Sequence, residues 1–277
     1  MKVSLITISF NQARYLEQAI KSVLEQNHPD LEYIIVDPGS TDGSRAIIES
    51  YRDRVSRIIF ERDEGPADGL NRGFAHATGE IFGYLNSDDL LLPGALARME
   101  RAFQARPDCD LIYAHGYFVD AAGAVVRRFR SDRFNLRRCA YGNSIIMQQA
   151  AFWRRDAFVQ VGGFNWANRL SWDGEFWIDL ALAKRRFCRI DDYWACFRTH
   201  QESISHNFHG RSQLSSYGVE QRRLFAKAMG RSWNKGDAHA AILTRLEKWL
   251  ADPVNLCLRI WDLVMVRLQM GGQSLRK

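Results

Sequence analysis

The N-terminal half of the chain switches repeatedly between two hydrophobic periods. Short continuous apolar runs at residues 3–8, 31–36, 55–61, 81–85 and 111–118 have the length and β-branched content of buried strands. Between them the period lengthens. Residues 15–26 set Leu16, Ala19, Ile20, Val23 and Leu24 on one helical face, and helices are also expected over residues 44–51, 67–77 and 93–105. Thr78-Gly79 stops the third of these. Such alternation calls for an α/β fold with a mostly parallel, doubly wound sheet flanked by helices. The second half is less regular. Residues 119–130 read as a hairpin around Ala121-Ala122-Gly123, and residues 174–185 as a helix. Beyond Asn207 the pattern is helical, with Asp252-Pro253 supplying an N-cap and a first-turn proline. From there Val254, Cys257, Leu258, Trp261, Met265 and Leu268 share a face, while Arg259, Asp262 and Arg267 interrupt the apolar run.

Composition adds bounds. At 277 residues with 46% hydrophobic and 25% charged residues, the chain is ordinary globular material, enough for one large domain with an appendage or two small ones. No signal peptide is read at the N-terminus, and no apolar run approaches the ~18 residues a membrane span needs. Cys109, Cys139, Cys188, Cys196 and Cys257 are odd in number and lack paired metal spacing, so free thiols in a reducing, cytoplasmic compartment are expected. The net charge of +6 is uneven: residues 204–277 hold 12 Lys+Arg against 5 Asp+Glu, and the rest is nearly neutral. A basic tail suggests a membrane surface, an anionic substrate or nucleic acid as partner, or simply a solvated helical surface.

The candidate chemistry lies at strand ends. Ile81–Leu85 runs straight into Asn86-Ser87-Asp88-Asp89. Adjacent carboxylates repel and resist desolvation. A divalent cation such as Mg²⁺ or Mn²⁺ resolves that conflict and commonly fills its remaining positions with substrate phosphates. The structural alternative is a solvated turn in which Asp88 or Asp89 caps the next helix. Asn11, Asp37 and Asp88-Asp89 all follow strands, and in doubly wound sheets ligands bind beyond the carboxyl ends of the strands.

Ordered motifs over residues 1–205 carry a resemblance. They are Ser9-Phe10-Asn11, the run Val36-Asp37-Pro38-Gly39-Ser40-Thr41-Asp42-Gly43-Ser44, Asp63-Glu64-Gly65 with Asp68, Asn71 and Gly73, then Asn86-Ser87-Asp88-Asp89, Gly162-Gly163-Phe164, Asp173 and Arg198-Thr199-His200. In this the chain resembles the inverting glycosyltransferases of family 2, which have the Rossmann-like GT-A fold. The resemblance implies a nucleotide-sugar donor, UDP by default, and a saccharide or lipid-linked acceptor of bacterial surface polysaccharide assembly. It implies a donor half at residues 1–118, an acceptor-side half at 119–205, and a basic helical extension at 206–277. By the same resemblance Asp37 meets the nucleobase, Asp88 the ribose, and Asp89 the Mn²⁺ or Mg²⁺ ion. Ser9, Asn11, Asn71 and Asn86 join them, and Asp68 helps fix the nucleotide or donor sugar. Asp173 is the expected base that takes the acceptor proton, with Glu175 the competitor. His200 is expected at the metal or diphosphate, or else as a hydrogen-bonded loop histidine. Gln148-Gln149, Trp153 and Trp172 are expected on the acceptor side. Simpler roles remain open: Asp37 as a turn former, Asp68 as a helix N-terminal charge, Asp173 as a cap. Asp42 reads as structural. Three residues depart from the family pattern: Pro38, Asn86 in place of a first carboxylate, and Trp172 where an acidic residue is common.

Other classes fit less well. A sugar-nucleotide pyrophosphorylase needs a Gly-rich basic loop after the first strand, where this chain has Ser9-Phe10-Asn11-Gln12. A processive synthase needs membrane spans and a Gln-x-x-Arg-Trp segment. The arginines form no recognisable nucleic-acid module. A catalytically inactive nucleotide-sugar-binding or scaffolding module is the remaining alternative, opposed by intact Asp88, Asp89 and Asp173. The tail is expected either to attach peripherally to the inner face of a membrane, through basic residues with Trp233, Trp249 and Trp261, or to form a core-packing or dimerising helix pair.

Overall fold

The computed structural model describes residues 1–201 and 211–262. In chain order the strands are β1 (Val3–Ile8), β2 (Leu31–Val36), β3 (Arg57–Ile59), β4 (Ile81–Asn86), β5 (Leu90–Leu91), β6 (Leu111–Val119), β7 (Val125–Phe129), β8 (Ala151–Arg154) and β9 (Phe187–Arg198). The helices are α1 (Ala13–Leu24), α2 (Ser44–Ser50), α3 (Pro66–Ala75), α4 (Ala95–Ala105), α5 (Leu136–Ala140), α6 (Arg155–Val161), α7 (Trp172–Leu182), α8 (Arg211–Met229) and α9 (Asp237–Ala251). A last helical segment covers residues 253–262, so Met265 and Leu268 lie outside the described residues.

The apolar runs become one sheet in the order β3-β2-β1-β4-β8-β6-β9-β5, with β7 paired to β6. β1 pairs in parallel with β2 and β4, and β2 with β3, as the alternation predicts. The next expected neighbour, β6, is instead separated from β4 by β8. β8 runs antiparallel to both, with Phe82 opposite Trp153 and Ile112 opposite Phe152. β9, unforeseen as a strand, lies parallel to β6 and carries Arg198 to the strand ends beside Asp88-Asp89.

Two cores cover the faces of the sheet. One joins β1, β2 and β4 to α1 and α4 through residues such as Leu16, Ile20, Leu85 and Met99. The other is aromatic and places Phe74, Phe82, Trp153, Phe158, Phe164 and Phe176 together. Close packing there needs small residues. A Cβ on Gly83 would lie 2.5 Å from the Phe152 ring, and one on Gly73 would lie 2.6 Å from Ile6.

A third core joins the tail to the body. Leu224 and Phe225 of α8 pack with Ala140, Tyr141 and Ile178, and Trp233 joins them. The Tyr141 hydroxyl donates to Asp237 over 2.7 Å, Asn143 donates to the Ala241 carbonyl over 2.7 Å, and Lys248 lies 2.8 Å from Asp132. Part of the tail's positive charge is therefore taken up by carboxylates of the body. The thiol expectation is corrected in one respect: Cys109 and Cys188 form a disulfide, leaving Cys139, Cys196 and Cys257 free. The parallel register sets Ile112 opposite Cys188, so β9 delivers Cys188 beside the start of β6, which a separation of 79 residues conceals.

Candidate functional site

A cleft of about 1140 Å³ opens at the carboxyl ends of β1, β2 and β4. Ser9, Phe10, Gln12, Pro38, Gly39, Asp63, Asn86, Asp88, Gln149, Trp172 and Asp173 are among the residues that line it.

On the donor-side wall two loops are stitched together. Asn11, in the left-handed region at φ 52°, donates its N–H to Ser40 Oγ (2.8 Å) and accepts from the Thr41 N–H (2.9 Å) through its side chain. Asp42 accepts from the Ala13 and Ser44 N–H groups, so it is structural as expected. Behind them Asp37 is fully buried. Its Oδ1 accepts from the Gly39 and Ser40 N–H groups and from Arg45 Nε at 3.0, 2.8 and 3.1 Å. Asp37 Oδ2, Ser9 Oγ and Gln12 Oε1 are buried with no hydrogen-bond partner among the described residues. An unsatisfied buried polar atom costs about 1–3 kcal/mol, and these three lie together in the loops that follow β1 and β2.

Next along the strand ends the Asn86-Ser87-Asp88-Asp89 turn separates its two carboxylates. Asp89 is fully buried, with Oδ1 accepting from the Arg198 N–H (2.9 Å) and Oδ2 from Gln149 (2.7 Å) and Asn86 (3.2 Å). Burial, and then the neighbouring Asp88 charge, push its carboxyl well above the usual range. Asp88 lines the cleft, and its Oδ2 lies 3.0 Å from His200 Nε2. Asp89, the residue expected at the metal, thus has both oxygens engaged by protein donors, whereas Asp88 presents its carboxylate to the cleft. Asp88 and His200 set one carboxylate and one imidazole facing each other, groups of the kind that can ligate a divalent ion. No group of three or more His, Cys, Asp or Glu side chains among the described residues could hold a metal. Arg198 locks this turn. Its Nε donates to the Asp88 carbonyl (2.8 Å), its NH2 to Gln18 (2.8 Å), and its guanidinium lies over the Tyr15 ring.

Three expected donor-side and acceptor-side residues fall elsewhere. Asn71 bridges to Phe164, donating to its carbonyl (2.7 Å) and accepting from its N–H (2.9 Å), so it ties α3 to the Gly162-Gly163-Phe164 turn. Asp68 accepts from the Glu64 N–H and Arg72, holding the Asp63-Glu64-Gly65 loop, while Asp63 and Glu64 themselves line the cleft. Trp153 is fully buried in the aromatic core rather than on the acceptor side, because β8 is an interior strand. Gln148 donates to the Tyr84 carbonyl (3.0 Å), and Trp172 donates to the Tyr84 hydroxyl (3.1 Å).

The two candidate bases differ. Asp173, in the first turn of α7, lines the cleft and accepts from the Gly174 N–H; burial pushes its carboxyl up. Glu175 faces away from the cleft. Burial would raise it too, but Arg223, Lys227, Asn168 and Asn165 outweigh that and hold it at about 2. A carboxylate so stabilised is a poor proton acceptor, so the structure does not bring Glu175 to the reaction. Ile145, Met147, Phe118, Phe129 and Phe197 add an apolar wall that the sequence reading missed, since they converge from four separate segments.

Comparison with known proteins bears on the family and the fold. The family model described as glycosyl transferase family 2 matches residues 4–162. An uncharacterized glycosyltransferase of Nostoc sp. is 44% identical over 107 residues, 38% of this chain and 33% of that protein. A putative teichuronic acid biosynthesis glycosyltransferase of Bacillus subtilis, TuaG, is 41% identical over 90 residues, 31% of this chain and 36% of that protein. These matches thus span about a third of each relative's length. S. aureus TarS 1-349 in complex with UDP-GlcNAc superposes with a TM-score of 0.66 at 19% identity, covering 91% of this chain and 73% of that one. The mannosyltransferase PcManGT of Pyrobaculum calidifontis, in complex with GDP-Man and Mn²⁺, gives 0.63 at 18% identity, covering 100% and 76%. These two likenesses establish the GT-A architecture. The family match runs from β1 through the Asp88-Asp89 turn to the Gly162 turn, covering over half of the chain, and the chain belongs to glycosyl transferase family 2.

Proposed function

We propose that this glycosyltransferase moves a sugar from a uridine diphosphate sugar to an acceptor hydroxyl, with inversion, in the assembly of a surface polysaccharide or glycolipid. The observation that carries the donor assignment is Asp37. One of its oxygens is saturated by three donors and the other, buried, has no partner among the described residues. A single free acceptor suits the single imide N–H of uracil. Guanine presents two adjacent donors on that edge and would need both oxygens.

Residues 1–118 hold the donor and 119–205 the acceptor side. Asp88 and His200 hold Mn²⁺ or Mg²⁺, which when bound neutralises charge developing on the leaving diphosphate. Asp173 takes the proton of the acceptor hydroxyl as that oxygen attacks the anomeric carbon; the bond to the diphosphate breaks and UDP leaves. The raised basicity of the Asp173 carboxylate supports this role.

Calorimetric titration with UDP, GDP and TDP, with and without Mn²⁺, tests the reading. UDP is expected to bind most tightly, Asp37→Asn to abolish binding, and Asp88→Ala to remove the metal requirement. Tighter binding of GDP, or a metal requirement unchanged in Asp88→Ala, would sink the respective assignment. Absence of nucleotide binding by the folded protein would favour an inactive module.

The tail supports a further part of the reading, contact with an anionic membrane surface. No helix of the described residues is long and apolar enough to cross a membrane. Yet the outer face of α9 and the last helical segment exposes Ile242, Leu246, Trp249, Leu250, Val254 and Trp261, with Arg245 among them. Apolar and tryptophan side chains beside basic ones suit a bilayer interface. Flotation with phosphatidylglycerol vesicles should fail for Trp249→Ser/Trp261→Ser. Equal flotation of both proteins, or a concentration-dependent dimer lost in the variant, would overturn it.

A further inference from the structure

The reading of Asp173 as the base leaves unexplained why a second carboxylate, two residues on, is buried between α8 and the loop bearing Asn165 and Asn168. The Glu175 side chain is 2% exposed, yet it is ionised. Its oxygens accept from both terminal nitrogens of Arg223, from Lys227 Nζ at 2.8 Å, and from Asn165 and Asn168. One helical turn further, Asp179 shares Lys227 at 2.7 Å. Arg223 and Lys227 are themselves one turn apart on α8. Two successive turns of α7 are thus clasped to two successive turns of α8.

Such a clasp restricts rotation of α7 about its own axis. Residues 173 and 175 are separated by about 200° around a helix, so Glu175 faces α8 while Asp173 faces the cleft. A rotation of about 20° would carry a carboxylate some ~6 Å from the axis through about 2 Å. Misplacement by ~1 Å can cost 10²-fold in rate. To the packing of the buried Trp172, Phe176, Trp177, Ile178 and Leu180, the clasp adds directional, bidentate ion pairs on the side of α7 that faces α8.

We propose that Glu175, Arg223 and Lys227 are positioning residues that hold Asp173 at the acceptor, which makes α8 of the C-terminal extension part of the catalytic apparatus. The inference rests on Asp173 being the base, and the two can fail separately.

The test uses the full chain and whichever of UDP-glucose, UDP-galactose and UDP-N-acetylglucosamine it hydrolyses slowly with water as acceptor. Arg223→Gln/Lys227→Gln is the principal variant, since both side chains are partly exposed and their removal leaves the apolar core intact. Its kcat should fall about 10–100-fold with the UDP dissociation constant unchanged. Amide hydrogen exchange of residues 172–176 should quicken while that of β1 does not. Arg223→Lys should recover part of the rate. Unchanged kcat, or a fall in kcat with exchange at 172–176 unchanged, would overturn the proposal. So would weakened UDP binding with faster exchange in β1, which would mean general loosening. Full hydrolysis by Asp173→Asn would instead overturn the base assignment, and the exchange data would still report whether the clasp holds α7.

Discussion

Asp173 and Glu175 sit two residues apart on one helix, and their carboxyl groups are driven in opposite directions. Burial raises Asp173; the ion pairs and amides around Glu175 overcome burial and hold it at about 2. For activity, the base form of Asp173 is lost as pH falls through its raised value. The acid limb of the pH–rate profile should therefore lie above the ordinary aspartate range, and a limb near pH 4 would count against Asp173 as base. For stability the sign of Glu175 is the reverse of a raised group. Its contribution is fully present above the unfolded value of 4.5 and disappears as pH falls from there toward 2. Both acidic residues are visible in the sequence as a pair at a helix start. Their separation into two roles depends on Arg223 and Lys227, about fifty positions away, which no local pattern reports. The same holds at Asp88-Asp89, where Arg198 and Gln149 claim one carboxylate and leave the other to the cleft.

Elements set how closely side chains must fit. β4 and β8 pair with Gly83 opposite Phe152, and the Phe152 ring occupies the space a side chain at residue 83 would need. Gly83→Ala should destabilise the protein by about 1–3 kcal/mol, read as a lower urea midpoint. Gly218 is the control. It lies inside α8, exposed, with nothing within 4 Å of a built Cβ. Gly218→Ala should stabilise by about 0.5–1 kcal/mol. Equal effects of the two substitutions would mean that helix and strand packing differ from those described. The strands β1, β2 and β4 are legible because continuous apolar runs flanked by turn residues are a local signal. β9 escapes that signal, since Arg189, Asp191, Asp192 and Arg198 break its apolar run. Its polar side chains are accommodated by partners such as Asp252 for Arg189 and Gln18 for Arg198 rather than by solvent alone.

At the scale of the molecule, the tail is joined to the body by a small core and by ion pairs rather than by a loose linker. Truncation at residue 205 should expose Ala140, Tyr141 and Ile178 and leave Glu175 buried without its cations. The truncated chain should show a lower melting temperature, and an unchanged one would show that the tail docks without contributing stability. The sequence by itself determined the α/β class, the parallel half of the sheet and the gathering of Asp37 and Asp88-Asp89 at strand ends. Those features follow from periodicity, turn residues and the geometry of parallel strands, all of which act over a few residues. Tertiary structure alone decided which of two adjacent carboxylates faces the cleft, that β8 divides the sheet, that Cys109 meets Cys188, and that Glu175 braces a helix. Each of these depends on a partner tens to more than a hundred residues away, and it is the approach of that partner which sets burial, hydrogen bonding and charge.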